Sequence, residues 1–327
     1  MSGAVGVREN SPMKGNKKLI FFRKKEISVL IALLLLCVII AVLSPYFLTV
    51  NNIFNVLRQF SITGILAVGE AFVIITGGID LSVGSLVGLM GVLIAVFSNT
   101  GMSPILVFFA SLVTGCCLGG VNGLLVAGVG INPFIATLGM MSVARGAALL
   151  ITGGLPISNE TPIMWLGGGY LGPVPVAVII MVVSAAIGQV FASRTLPGRN
   201  VYAIGNNERA AKLSGIRVAR VKMMVFMIVG ALCALSGIIL SGTLNSAEPA
   251  AGAGYEMDVI AAVILGGASL SGGEGSIIGV IIGAALMGVL RNGFVLLGIS
   301  AYWQTVSIGV VIIAAVAIDS LKTKRRI

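Results

Sequence analysis

The chain has 327 residues, of which 57% are hydrophobic and only 10% are charged, and its mean hydropathy is +1.09. A soluble fold of this length cannot bury so much apolar surface, so lipid is expected to be the main solvent. The formal net charge of +10 would suggest nucleic-acid binding in a soluble protein, but here the basic residues are sorted by position along the chain, so no nucleic-acid partner is expected.

The basic residues predict the orientation of the chain in a membrane. Eighteen of the 21 lie in residues 8–25, 194–222 and 322–326. Because Lys and Arg next to membrane spans mark the cytoplasmic side, both termini and residues 194–222 are predicted to be cytoplasmic. The predicted organisation is a basic N-terminal segment (1–26), a transmembrane domain (27–321) with a cytoplasmic loop at 194–222, and a basic tail (322–327).

The apolar segments predict about ten membrane spans. A helix needs about 20 apolar residues to cross the hydrocarbon layer. An even number of spans places both termini on one side, as the charges require. The predicted fold is therefore an all-α, polytopic transmembrane helical bundle with both termini cytoplasmic. The candidate spans, of which the eighth is short, are residues 27–44, 53–76, 81–97, 104–127, 134–152, 174–192, 223–242, 256–265, 277–297 and 303–318.

The segment at residues 77–85 has the sequence Gly-Gly-Ile-Asp-Leu-Ser-Val-Gly-Ser. Its glycines can end one helix and Asp80 or Ser82 can cap the next, which would explain these residue types without a function. The alternative is a broken helix that lines a solute path. A similar segment at residues 264–271, and the recurrence of Asn122-Gly123 as Asn292-Gly293, suggest a weak internal repeat.

The central loop, residues 194–222, contains a predicted short helix. Asn206 or Asn207 can cap its start, Glu208 and Lys212 suit the two ends of the helix dipole, and Gly215 suits a left-handed C-cap. A helix this short is marginal alone, which favours docking to a partner over a plain linker. The predicted docking helix comprises Gly205, Asn206, Asn207, Glu208, Arg209, Ala210, Ala211, Lys212, Leu213, Ser214, Gly215 and Ile216.

From about residue 27 to residue 319 the chain resembles the permease subunit of ribose-type bacterial ABC importers. The resemblance rests on the central loop, on residues 77–85, on Asn-Pro-Phe-Ile-Ala-Thr-Leu-Gly-Met at residues 132–140 and on Ile-Leu-Gly-Gly at residues 264–267. It implies a second permease copy in the bacterial inner membrane, two ABC ATPase subunits on the cytoplasmic loops, and an extracytoplasmic sugar-binding protein. It also implies that residues 205–216 are the helix that couples to the ATPases.

No enzymatic activity is expected from this chain. It contains no histidine for a Ser/His or Cys/His pair and no G-x-x-x-x-G-K-[ST] loop for a nucleotide. Its four cysteines lie in apolar runs without a C-x-x-C pair, so no metal site is expected. The resemblance instead places ATP and Mg²⁺ on the partner ATPase.

Polar residues in or beside the spans are candidates for the sugar path, because hydroxyls and amides hold neutral sugars and because charges inside a membrane are costly. Each could instead stabilise the bundle through hydrogen bonds between helices, and Glu70 could pair with Arg145. The predicted path residues are Glu70, Asp80, Ser82, Asn122, Asn132, Thr137 and Asn292.

Four acidic residues near the predicted outer ends of the spans are candidates for docking the binding protein, with a solvated rim as the alternative. They are Glu160, Glu248, Glu256 and Asp258.

The resemblance thus implies a subunit that moves a monosaccharide, ribose or a related sugar, by alternating access driven by separate ATPases. The alternative is an ion- or proton-coupled secondary transporter that works without an ATPase. Such a carrier needs a relay of acids or histidines in the membrane, for which the chain offers only Glu70 and Asp80.

Overall fold

A computed structural model describes residues 15–158 and 161–324, with side chains described for residues 26–158 and 161–317. Within these ranges the chain is almost entirely helical. Its α-helices are α1 (Gly15–Leu43), α2 (Val50–Ile75), α3 (Val83–Asn99), α4 (Pro104–Leu124), α5 (Pro133–Thr152), α6 (Trp165–Gly168), α7 (Val176–Arg194), α8 (Leu196–Asn206), α9 (Glu208–Leu213), α10 (Val218–Leu244), α11 (Tyr255–Leu265), α12 (Ile277–Leu296) and α13 (Ala301–Lys324).

Short irregular elements complete the fold. A π-helical turn (Leu125–Val129) prolongs α4, and a 3₁₀ turn (Pro162–Met164) precedes α6. Four strands of two residues each are β1 (Ile157–Ser158), β2 (Tyr170–Leu171), β3 (Val174–Pro175) and β4 (Ser246–Ala247). They form two antiparallel pairs, β1 with β4 and β2 with β3.

The helical transmembrane bundle predicted from the sequence is confirmed, and each predicted span coincides with a helix. Among the remaining apolar helices, α3 has 17 residues and α11 has only 11, so both are shorter than a typical span. The helices of the described chain that are long and apolar enough to cross a membrane are Glu26–Leu43, Val50–Ile75, Pro104–Val129, Pro133–Thr152, Val176–Arg194, Val218–Leu244 and Ile277–Leu296.

Capping residues fix where several helices begin. Ser103 and Asn132 each precede a proline at the first helical position, and their side chains accept hydrogen bonds from the backbone N–H groups of Leu106 and Phe134. Ser276 caps α12 in the same way. A cap oxygen satisfies one N–H that the helix leaves unpaired, and proline has no N–H to lose at this position. These starts are therefore encoded locally in the sequence.

Helix α2 is the centre of the bundle. It contacts α7, α8, α10, α11 and α12, and most of its side chains from Phe60 to Ile75 are buried. In contrast, α1, α4, α5, α7 and α13 expose large apolar side chains, such as Val42 and Leu150. A helix that is apolar all round belongs inside a bundle, whereas apolar outer faces suit contact with lipid.

Glycines bring α4 and α10 into backbone contact. A Cβ atom on Gly119 would lie 2.1 Å from the Phe226 carbonyl oxygen, and one on Gly115 would lie 2.3 Å from the Gly230 carbonyl oxygen. The four-residue spacing places Gly115 and Gly119 on one face of α4. Small residues allow this close approach, which is a main source of helix association where lipid removes the hydrophobic driving force.

Replacement of Gly119 by alanine is expected to destabilise the bundle. The new methyl group would force α4 and α10 apart, and overpacking of this kind costs about 1–3 kcal/mol. Thermal unfolding of the purified chain in detergent would show a lower midpoint for Gly119→Ala. The matched control is Gly120→Ala, whose Cβ would lie 3.5 Å from Met227 Cγ, an ordinary contact. Equal midpoints for the two variants would contradict the close contact.

Candidate functional site

The chain between α2 and α3 folds back into the bundle. Gly77, with φ of +84°, turns it just after the end of α2, and this left-handed conformation favours glycine. The Asp80 N–H then donates to Glu70 Oε1 at 3.0 Å. Since Glu70 lies before the last turn of α2, Asp80 is beside the helix rather than beyond its end. Helix α3 therefore starts inside the bundle, and we call residues 76–82 the α2–α3 break.

Buried hydrogen bonds hold this break. Asp80 Oδ1 accepts hydrogen bonds from the Ser82 N–H at 2.8 Å and from the Ser82 hydroxyl. The Asn122 amide on α4 donates to Ser82 Oγ at 2.9 Å. From α5, Thr137 Oγ1 accepts from the Leu81 N–H at 3.1 Å. Four elements thus meet at one polar cluster, which we call the break network: Glu70, Asp80, Ser82, Asn122 and Thr137, each fully buried.

Several acceptors of the break network are left without a donor. Glu70 Oε2, Asp80 Oδ2 and Asn122 Oδ1 are buried and have no hydrogen-bond partner among the described residues. Unsatisfied buried polar atoms are costly, so these three oxygens are available to a donor that enters the bundle, such as a water or a solute hydroxyl. The suggested ion pair with Arg145 does not form, because Glu70 Oε1 accepts the Asp80 N–H while Glu70 Oε2 and Arg145 Nη2 both lack a partner in the described chain.

The two other predicted path residues lie elsewhere. Asn132 is exposed and caps α5 through the Phe134 N–H. Asn292 forms two amide–amide hydrogen bonds with Asn52, at 3.0 and 2.8 Å. Asn52 is near the start of α2, roughly 27 Å along the helix from Glu70 at 1.5 Å per residue. The suggested internal repeat therefore does not extend to these contacts, since Asn122 and Asn292 have unrelated partners.

Two of the four acids predicted to dock a partner are buried instead. Asp258 and Glu256 are 3% and 8% exposed in the first turn of α11, and Asp258 Oδ2 pairs with Arg291 at 2.7 Å. The reason is that the segment before α11 packs into the bundle, where a Cβ on Gly252 would lie 1.8 Å from the Gly84 carbonyl oxygen. Glu248 is half-buried. Glu160 lies outside the described residues.

The predicted short helix in the central loop is present as α9, but it is shorter than expected. The Asn207 side chain caps it by accepting the Ala210 N–H at 3.0 Å, and Gly215 has φ of +84°. Glu208 pairs with Lys222 at 2.8 Å. The prediction was wrong in its first residues, because Gly205 and Asn206 belong to α8, which the sequence analysis missed. Thr195, whose hydroxyl caps α8 with Pro197 in the first turn, was the available signal.

Helix α8 is fastened to the end of α2 and to the loop between α11 and α12. A Cβ on Gly205 would lie 1.8 Å from the Ile75 carbonyl oxygen, and the Gly273 N–H donates to that same oxygen at 2.9 Å. The Tyr202 hydroxyl donates to the Gly275 carbonyl at 3.2 Å, and burial raises the pKa of this phenol above its usual value. Helix α8 thus contacts α2 directly before the α2–α3 break.

Segments predicted to share a side of the membrane meet in the fold. On one side, α8 contacts the end of α2 and the α11–α12 loop. On the other side, β1 pairs with β4, and the Thr161 and Ser98 hydroxyls lie 3.3 Å apart. The polar features therefore separate into a region around the α2–α3 break and α8, and a region around Asn52 and Asp258 at the opposite end of α2.

Comparison with known proteins identifies close relatives. The chain is 45% identical over 296 residues to the ribose import permease of Bacillus subtilis (strain 168), covering 90% of this chain and 92% of that protein. It is 45% identical over 298 residues to the ribose import permease of Escherichia coli (strain K12), covering 90% and 93%. The D-allose transport system permease of E. coli (strain K12) is 39% identical, covering 89% and 91%. No solved structure matches the chain.

The family described as the branched-chain amino acid transport system / permease component matches residues 52–316. This range runs from the start of α2 into α13, so it includes the break network and the α8–α9 pair. The chain therefore belongs to this permease family and is a membrane transport subunit rather than an enzyme.

Proposed function

We propose that the chain is the permease subunit of an ATP-binding-cassette importer that moves ribose or a related monosaccharide across the bacterial inner membrane by alternating access. The observation that carries this proposal is the 45% identity to two ribose import permeases over nine-tenths of the chain. The family description mentions branched-chain amino acids, but the ribose and D-allose permeases that align over nearly their full length are named for sugars. A sugar is therefore the favoured solute.

The proposed assembly contains two copies of the chain, two ABC ATPase subunits that bind ATP and Mg²⁺, and an extracytoplasmic sugar-binding protein. In the proposed topology the ten apolar helices all serve as spans, and both termini and the α8–α9 pair are cytoplasmic. The basic residues of the 194–222 loop support this orientation. The meeting of α8 with the α2 end and the α11–α12 loop also supports it, because these three segments then share one face.

Helix α9 supplies the proposed contact with the ATPase. Its basic side chains Arg209 and Lys212 are exposed, and the apolar side chain of Leu213 beside them is 90% exposed. An apolar side chain between basic ones is suited to a groove with acidic edges. The Glu208–Lys222 ion pair joins α9 to α10 and orients this surface.

Helix α8 supplies the proposed link from the ATPase to the sugar path. Because Gly205 contacts the Ile75 carbonyl without an intervening side chain, a displacement of α8 must also displace the end of α2. The α2–α3 break follows Ile75 directly, and Glu70 lies earlier on the same helix, α2. In this proposal the break network rearranges when α2 moves, and its unpaired oxygens at Glu70, Asp80 and Asn122 accept hydrogen bonds from sugar hydroxyls during passage.

Reconstitution tests the function directly. Liposomes that contain the chain with its ATPase, with the binding protein and D-ribose outside and ATP inside, should accumulate the sugar, and omission of the ATPase should abolish accumulation. Collapse of the proton gradient should have no effect. The buried Glu70 and Asp80 pair is the one observation that favours the alternative, a proton-coupled carrier. Uphill ribose uptake by the chain alone, lost with the proton gradient, would establish that alternative and reject the importer.

The α9 surface gives a second test. The Leu213→Asp variant places a charge in the proposed ATPase groove, and loss of a central interface contact of about 2 kcal/mol or more should lower ribose uptake at least about tenfold. The chain should still insert and be recovered at the normal level, because Leu213 makes no buried contact. The matched control is Leu213→Met, which keeps the apolar surface. Normal uptake by Leu213→Asp would mean that α9 does not bind the ATPase as proposed.

The α8–α2 contact gives a third test. In Gly205→Ala the new methyl group would separate α8 from the Ile75 carbonyl and weaken the link. ATP hydrolysis by the reconstituted complex should persist while ribose uptake per ATP falls about threefold or more, a change of the size expected for a local packing defect. Gly309→Ala is the control, since a Cβ on Gly309 meets no atom within 4 Å. Equal ratios of uptake to hydrolysis in both variants would show that α8 does not transmit the movement.

A further inference from the structure

A polar cavity lies between α2, α11, α12 and α13, away from the break network. Its volume is about 340 Å³. Along α2 it reaches only to Thr63, about two turns toward the helix start from Glu70, so it lies in the half of the bundle opposite α8. The polar side chains that line it are Gln59, Thr63, Tyr255, Asp258, Arg291 and Gln304.

A charge pair with unmet hydrogen-bonding capacity lines the cavity, in which Asp258 is buried and the Arg291 side chain is 41% exposed. The Asp258 side chain is 4% exposed and its Oδ2 pairs with Arg291 at 2.7 Å. Its other oxygen, Oδ1, and Arg291 Nε are buried and have no hydrogen-bond partner within the described chain. Buried polar atoms that lack a partner are costly, and more so when they are charged. Both residues line the cavity, so its wall includes one acceptor and one donor that lack a partner in the described chain.

The chemistry of the lining selects a neutral ligand. Asp258 and Arg291 cancel each other's charge, so an anion would be repelled by the first and a cation by the second. A sugar hydroxyl, which is both donor and acceptor, can bind Asp258 Oδ1 and Arg291 Nε without such repulsion. The amides of Gln59 and Gln304 offer further hydrogen bonds, and Phe60 supplies an apolar ring. A volume near 300 Å³ is at the small end of ligand pockets, which suits a monosaccharide.

We propose that this cavity is a monosaccharide-binding station within each chain, separate from the α2–α3 break. This inference rests on the proposed function, since it assigns a further site to the sugar that the importer moves. The sugar reaches the cavity from the side of the membrane opposite α8 and contacts the Asp258–Arg291 pair there. The pair is thus a neutral hydrogen-bonding group for the solute rather than a docking site for another protein.

Thiol protection in the complete complex tests the station. A small, polar thiol reagent should label the new cysteine of Thr63→Cys. The measured quantity is the labelling of this variant minus the labelling of the unsubstituted chain. D-ribose or D-allose at ten times its dissociation constant should slow this labelling roughly tenfold, since roughly a tenth of the sites then stays free. The matched control is Ala250→Cys, an exposed position that does not line the cavity and whose labelling should not respond to sugar. Adding Gln304→Leu to Thr63→Cys should reduce the protection.

Each outcome separates the station from the importer function. Labelling of Thr63→Cys that is independent of sugar, in a complex that still imports ribose, would overturn the station and leave the importer proposal intact. Labelling blocked by phospholipid but not by sugar would also overturn it, because a lipid headgroup would then fill the cavity. Gln59→Cys, on the exposed rim of the cavity, provides the same readout if Thr63→Cys fails to fold or to react. A complex that imports no sugar would instead reject the proposed function.

Discussion

The structure depends on how a chain break inside an apolar bundle satisfies its polar groups. Helices close their own hydrogen bonds, but the α2–α3 break leaves backbone groups that lipid cannot satisfy. Glu70 and Thr137 accept two of the N–H groups, and Asp80 accepts a third. Because these side chains come from α2, α5 and the break itself, with Asn122 of α4 completing the network, the break can exist only where those elements meet. The network therefore also sets the relative positions of α2 to α5.

Helix α2 makes two kinds of contact near its end: backbone contacts through glycines, and hydrogen bonds to the break network. Its last residue contacts α8 and the α11–α12 loop through glycines, so backbone meets backbone with no flexible side chain between them. Its penultimate turn contacts the break network through Glu70. Glycine contacts transmit displacement with little loss because there is no rotamer to absorb it, whereas a hydrogen-bond network with free acceptors can exchange partners. In the proposed importer, this rigid contact next to an adaptable polar cluster would carry movement of α8 to the sugar path.

The charges within the bundle have a common explanation. Arg291 and Asp258 come from different helices and neutralise each other beside a cavity, while Asn52 and Asn292 satisfy one another nearby. Paired in this way, polar groups remain in a membrane-spanning fold at a tolerable cost. Asp258 and Arg291 at the cavity, and Glu70, Asp80 and Asn122 at the break network, each keep one atom without a partner in the described chain. The bundle thus holds two polar regions at opposite ends of α2, separated by the apolar residues between Thr63 and Glu70.

The sequence by itself determined the helices and the family. Apolar runs predicted the spans, Asn207 and Gly215 predicted the ends of α9, and the motifs at residues 77–85 and 132–140 indicated the permease family, because all of these are local signals. The tertiary structure alone decided which distant residues contact each other. Asn292 bonds Asn52 across 240 residues, Asp258 is buried against Arg291 rather than exposed, and Gly205 packs against the Ile75 carbonyl. No local pattern encodes these outcomes, because each one depends on which helices pack together and at what distance.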